Sequence, residues 1–178
     1  MSSIECFVPS MSGEDISTTV ESFSRSQSFT GVTILSGVSL RSTETLRSIA
    51  EAISHKYVLI YTKDLPLEMG LFSLDRIISI AEDTKADMLY ADHYELSDGL
   101  RRKHPLIDCQ MGALRDDFDF GSVLVVDETA ITADTVIKAA VTLPEGVENI
   151  SGTEDVDVQI KHIGSTVKSI AVPKENVI

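Results

Sequence analysis

Short apolar runs alternate with helix-period stretches along the chain. "IECFVP" (4–9) reads as a strand closed by Pro9. In "GEDISTTVESFSRS" (13–26), Ile16, Val20 and Phe23 recur at i, i+4 and i+7, which predicts an amphipathic helix. Ser12 or Gly13 would cap it, with Glu14 and Asp15 in its first turn. "GVTILSG" (31–37) is a glycine-bounded strand, and "STETLRSIAEAISH" (42–55) a helix that starts at Ser42 or Thr43 and turns Leu46, Ile49, Ala50 and Ile53 to one face. "YVLIYT" (57–62) is almost continuously apolar, as buried parallel strands are. A helix within 66–86 carries Leu74, Ile77, Ile78 and Ala81 inward; "DMLYADHYEL" (87–96) is a strand and "SDG" (97–99) a turn. "GSVLVVDET" (121–129) is a further strand, and "TADTVIKAAVT" (132–142) a helix capped by Thr132 or Asp134. A helix over about 154–163 and a strand over about 167–172 close the pattern, and 97–120 is its least regular stretch.

This alternation predicts an α/β fold: a mainly parallel, twisted sheet with helices on both faces, in a single domain over 1–178. Ligands of such sheets bind at the carboxyl ends of the strands. The rule singles out Pro9–Ser12, Ser36–Ser39, Thr62–Asp64 and Ala91–Tyr94.

Composition narrows the function classes. The 178 residues are 43% hydrophobic and 24% charged, which excludes a disordered chain. A net charge of -13 repels phosphate backbones and anionic bilayers, so neither nucleic acid nor a membrane surface is the expected partner. A nucleotide remains compatible, because backbone N–H groups and a cation hold phosphates locally. Cys6 and Cys109 do not form a metal-type C-x-x-C. The N-terminal residues lack a secretory pattern and the longest apolar run, 57–61, is too short to span a bilayer. The expectation is a cytoplasmic protein with free thiols; an oligomer stays open.

Taken in order, several segments resemble family 2 glycosyltransferases, nucleotide-sugar-dependent enzymes of the GT-A fold. They are "CFVPSMSGED", then "TLRSIAEAISHKYVLIYTKDLPLEMGLFSLDRIISIAED", "ADMLYADHYEL", "IDCQMGALRDDFDFGSVLV" and "TEDVDVQIKHIGSTVKSIAVP". The resemblance implies a GT-A-like fold and transfer of a sugar from a nucleoside diphosphate donor to a hydroxyl acceptor, by inversion. It implies that Pro9 and Ser10 contact the nucleoside. It also implies that Thr62, Lys63 and Asp64, which stand at the family's Asp-x-Asp motif, hold the diphosphate, with Asp64 binding a divalent cation (Mg or Mn). Asp155, second acid of the Glu154–Asp155 pair, would be the base, and Asp92, Arg115 and Asp116 would lie on the acceptor side. Thr62 replaces the motif's first Asp, and the acid usual after the second strand is missing from "LSGVS".

Each residue also has a plainer reading. Glu154 and Asp155 suit a helix N-terminus electrostatically, a contribution of about 0.3–1 kcal/mol. Asp64 precedes a Pro-led turn in "KDLP". His93 in "YADHYE" is either a metal ligand or a structural histidine, and Arg115 with Asp116 and Asp117 is either a ligand contact or an exposed ion-pair loop. "VLVVDETAITADT" (123–135) looks like the ribose-phosphate loop of phosphoribosyltransferases, although Ala133 stands where that loop has Gly and the upstream order differs. A non-catalytic, degenerate GT-A-like binding or assembly domain is a third reading.

Overall fold

The structure, a computed structural model, describes residues 2–10, 16–40, 42–109, 118–131, 159–162 and 170–171. Three βα units open it. Strand β1 is Ile4–Pro9, followed by helix α1 (Ser17–Ser24), β2 (Phe29–Leu35), α2 (Thr43–Ala52), β3 (Tyr57–Tyr61) and α3 (Ser73–Thr84). Then come β4 (Met88–Tyr90), a hairpin of β5 (His93–Ser97) and β6 (Leu100–His104), and β7 (Val123–Asp127), which runs into a 3₁₀ turn at Glu128–Ala130. Short strands β8 (Gln159–His162) and β9 (Ile170–Ala171) complete the described elements.

The central sheet has seven strands in the order β2-β1-β3-β7-β4-β8-β9. β2, β1, β3, β4 and β8 run one way, while β7 and β9 run against them. The sheet is therefore mostly parallel, with β7 inserted antiparallel between β3 and β4. The pattern alone did not reveal that reversal. A strand buried on both faces has the same apolar character in either direction.

Strand alternation sorts the core into two faces. Ile4, Cys6 and Val8 of β1, Tyr57, Leu59 and Tyr61 of β3, and Val125 of β7 pack with Phe23 of α1 and Leu74, Ile77, Ile78 and Ala81 of α3. Phe7, Val58, Ile60 and Val126 point the other way, onto Ile49 of α2 and onto Ala130 and Ile131. The chain moves outward from β1 to β2, then back across β1 to β3. Right-handed crossovers in opposite directions send α1 and α2 to opposite faces, which is where the two clusters put them.

Several expected elements shift. β2 begins two residues before the glycine expected to bound it, and the register slips so that Thr30 is an extra residue opposite the Ile4–Glu5 step. Helix α3 starts at Ser73, because Phe72 takes a left-handed backbone (φ 60) just before it. The preceding segment is tied to α1 instead: the buried Thr19 hydroxyl accepts from Leu67 N–H at 2.9 Å, and Ser22 Oγ accepts from Met69 N–H at 3.3 Å. The strand expected over 87–96 breaks at Ala91–Asp92 into β4 and β5. Part of the stretch read as irregular is β6, joined to β5 by a two-residue turn in which Asp98 (φ 53) and Gly99 (φ 73) are both left-handed.

Residues 159–162, expected at the end of a helix, form β8, parallel to β4. The alternation of "VDVQIKH" is a strand period that a helix reading overrides at its cost. β9 lies within the strand expected at 167–172 and pairs antiparallel with β8. The expected helix at 132–142 and the helix start at 154–155 lie outside the described residues. No helix among the described residues is long and apolar enough to cross a membrane.

Candidate functional site

The parallel strands bring their carboxyl ends to one edge of the sheet. Pro9 pairs with Leu35, and the Phe7–Ile60 pair, continued two residues, sets Pro9 level with Thr62. Ser10 N–H donates to Leu35 O at 2.9 Å. Tyr90 and Ile60 both pair with Leu124, so Ala91 and Asp92 follow on the same edge. Thus Pro9, Ser10, Thr62, Lys63, Asp64 and Asp92 share one edge, along with the turn after Leu35. The chain leaves β1 and β3 for the same face, where α1 and α3 pack, and leaves β2 for the other, and the register sets Ser10 beside the Thr62–Asp64 segment at the carboxyl edge.

Thr62 belongs to the sheet more than to a site at this edge. Its N–H donates to Ser122 O at 2.9 Å, and its hydroxyl lies 3.3 Å from that oxygen and 3.4 Å from Gly121 O. Lys63 and Asp64 are exposed. The Tyr61 hydroxyl donates to Leu65 O at 2.8 Å and holds the loop; burial, aided by the charge of Asp64, pushes this phenol up to about 12. The cation implied at Asp64 does not fit these residues well. Of the three, one is a carboxylate, one is a cation and one is turned toward β7, whereas a hard divalent ion wants several oxygen ligands.

Asp92 serves the local backbone: its Oδ1 accepts from Leu106 N–H at 2.8 Å. Beside it stands a cluster that the sequence reading only touched through His93. His93 and His104 are cross-strand partners in the hairpin, and Glu95 lies two residues along β5, so all three share one face. The two imidazoles stack at 4.4 Å between centroids. Glu95 Oε1 is 3.4 Å from His104 Nδ1 and 3.9 Å from His93 Nε2. His104 Nε2 is 2.7 Å from Asp119 Oδ2, and Asp119 Oδ1 accepts from Gly121 N–H at 2.7 Å.

Gly121 is required here. Its φ is +80, and an added Cβ would come within 2.7 Å of Leu106 Cδ1 and 3.6 Å of His93 Nδ1. His93 Nδ1 is buried and has no hydrogen-bond partner among the described residues.

Burial holds the His93 pKa down, and the stacked His104 lowers it further; Glu95 and Asp119 oppose the shift. Burial alone would raise the Asp119 carboxyl, but the hydrogen bonds from His104 and Gly121 outweigh it and hold the group below its ordinary value. Lys63 acts on both His93 and Asp119 through its charge, which links the cluster to the diphosphate candidates.

On the opposite edge, Asp127 pairs with Tyr57 at the start of β3. Its Oδ1 accepts from Thr129 N–H at 3.0 Å and from the Thr129 hydroxyl at 2.6 Å. The acids of the phosphoribosyltransferase-like loop therefore lie away from the carboxyl edge, because β7 runs backward. Asp155, with Glu154, and Arg115, Asp116 and Asp117 lie outside the described residues.

No protein-family profile matches the chain, and no curated protein does. Among solved structures it is similar to the 4-diphosphocytidyl-2C-methyl-D-erythritol synthase of Anaerococcus prevotii, at 12% identity and a TM-score of 0.49, over 99% of this chain and 95% of that one. A likeness of that degree carries no inference about activity, and the site stands on its own geometry.

Proposed function

We propose that this chain is a GT-A-like transferase that takes a nucleoside diphosphate sugar at the carboxyl ends of β1 and β3 and transfers the sugar to a hydroxyl acceptor with inversion. The observation that supports this most is the meeting of Ser10, Lys63 and Asp64 at the carboxyl ends of the adjacent parallel strands β1 and β3. In this reading Pro9 and Ser10 contact the nucleoside. Lys63 faces the diphosphate and offsets charge that grows on the leaving group, where a second carboxylate-bound cation would otherwise act. Asp155 takes the acceptor's proton in the transition state, and Asp92, Arg115 and Asp116 line the acceptor side.

Thermal shift against a panel of nucleoside diphosphate sugars tests the donor site. A true donor raises the melting temperature in proportion to its occupancy, and Asp64→Asn and Lys63→Ala reduce that shift. If no nucleotide stabilises the protein, the reading fails. Asp155→Asn then separates the roles. It should leave donor binding intact and lower transfer by about 10²-fold or more.

A second reading, a binding or assembly domain without catalysis, draws on the sheet-bound hydroxyl of Thr62 at the motif's first position. Donor binding without turnover against any hydroxyl acceptor would favour it.

A further inference from the structure

We infer that the β5–β6 hairpin carries a transition-metal site of the zinc class, with His93 Nε2, Glu95 Oε1 and His104 Nδ1 as its protein ligands. The inference does not rest on the donor reading, since it can be measured with no nucleotide present.

Four observations converge. The first is placement. A two-residue turn fixes the hairpin register, and that register sets His93 directly opposite His104 and Glu95 on the same face. The other face carries different chemistry, with the Arg101 guanidinium 3.8 Å over the Tyr94 ring. The second is distance. The three ligand atoms lie within 4.8 Å of one another. Ligands at about 2.0–2.2 Å around a tetrahedral ion stand about 3.3–3.6 Å apart. Glu95 is already 3.4 Å from one imidazole and 3.9 Å from the other, and closing the set also draws the two imidazole nitrogens, now within 4.8 Å, toward each other. Its side chain is 56% exposed and has room to make that movement.

The third is tautomer. A neutral histidine offers a metal one lone pair and keeps its proton on the other nitrogen. His104 Nε2 lies 2.7 Å from Asp119 Oδ2, a distance at which it donates its proton and leaves Nδ1 free to ligate. A carboxylate behind a ligating imidazole is the usual means of orienting it and raising its basicity. Asp119 is in turn fixed by Gly121 N–H. The fourth is His93 itself. Its Nδ1 faces inward without a partner, and the ring presents Nε2 to Glu95. That orientation leaves Nε2 as the nitrogen able to ligate.

Two imidazoles and one carboxylate select a borderline ion such as Zn²⁺ or Co²⁺ over Mg²⁺ or Ca²⁺, which prefer all-oxygen sets. Three protein ligands leave a position for solvent or substrate, as in open zinc sites.

Chelator-treated full-length protein titrated with Co²⁺ tests the proposal. The expected result is saturation at one equivalent, with the visible absorption of four- or five-coordinate Co²⁺, no thiolate charge-transfer band, displacement by Zn²⁺ and none by Mg²⁺. His104→Ala and Glu95→Gln should each weaken binding on the order of 10²-fold. Asp119→Asn should weaken it about 10–100-fold while keeping the spectrum, as a positioning residue does. His55→Ala, at a histidine outside the cluster, should bind as the parent does. Circular dichroism on each variant separates a lost ligand from a lost fold, and His104→Gln gives a second probe if the alanine variant unfolds. Absence of a visible band at saturating Co²⁺, a thiolate band, or unchanged binding in folded His104 variants would overturn the site.

Discussion

Removing the Tyr90 hydroxyl should cost this protein more than removing the equivalent group elsewhere in the sheet. Tyr90 is 1% exposed at the end of β4. Its hydroxyl donates to Ile107 O at 2.9 Å and accepts from Cys109 N–H at 2.7 Å. Its ring packs edge-on against Phe118 and Phe120. Tyr90→Phe keeps those ring contacts and deletes both hydrogen bonds. The Ile107 carbonyl belongs to an exposed residue and can return to water, at a net loss of about 0.5–1 kcal/mol. Cys109 is buried, so its N–H is left without a partner at about 1–3 kcal/mol.

The expected total is about 1.5–4 kcal/mol, or a melting temperature lower by roughly 3–16 °C for a chain of this size. Tyr61→Phe is the matched control. It loses a single bond, to the carbonyl of exposed Leu65, and should cost about 0.5–1 kcal/mol. Urea unfolding of both variants reads the difference, and amide exchange at Cys109 should accelerate only in Tyr90→Phe. A Tyr90→Phe protein within about 0.5 kcal/mol of the parent, or no less stable than Tyr61→Phe, would refute the reasoning.

Stability should fall at alkaline pH. Burial raises the thiol of Cys6 from 9.0 to about 12, that of Cys109 to about 11, and the phenols of Tyr61 and Tyr90 from 10.0 to about 12. Above pH 9 the unfolded chain begins to lose protons that the native state keeps, so the urea midpoint should drop between about pH 9 and 11; a flat profile would contradict these burials. The same burial predicts that native protein resists a thiol reagent, while urea-unfolded protein titrates both cysteines. Gly121→Ala combines a positive φ with a 2.7 Å approach to Leu106, and should cost about 1–3 kcal/mol and weaken Co²⁺ binding through displaced Asp119; a neutral variant would show that the turn is not constrained. Thr19→Val removes the acceptor for Leu67 N–H and should cost about 1–2 kcal/mol while speeding proteolysis around 65–72, where an unchanged cleavage pattern would count against the tie to α1.

Much of the scaffold was legible in the sequence because burial and periodicity coincide there. Leu74, Ile77, Ile78 and Ala81 repeat at helix spacing, and the same four are the buried face of α3. The run at 57–61 is buried at every position, as its continuous apolar character implied. The strand-end rule led to Ser10, Thr62–Asp64 and Asp92, and register puts these on one edge.

What stayed hidden depended on contacts between distant segments. The backward direction of β7 is set by its neighbours. β6 reads "LRRKH", with no apolar face, so periodicity gave no sign of it. A local signal did exist. Asp98–Gly99 is the dipeptide of a two-residue hairpin turn, and counting outward from it sets 97 against 100 and 93 against 104. That count would have found the His93–His104 pair. Asp119 could not have been found this way, because a loop brings it to His104.

The bulged outer strand β2 has a consequence for handling the protein. It ends the sheet's strand order, and among the described residues nothing pairs with its free side. Its sequence, "FTGVTIL", has no charge and no proline, and Ile34 is 47% exposed. Such an edge is a template for a second chain to add to. The extra residue at Thr30 counters this. It twists the first half of the strand and turns its hydroxyl back onto Ile4 O at 2.8 Å, leaving residues 31–35 as the straight segment. Self-association at high concentration should therefore begin along 31–35, and Thr33→Lys, at an exposed position, is the substitution best suited to block it without touching Ser10 or the Thr62–Asp64 segment.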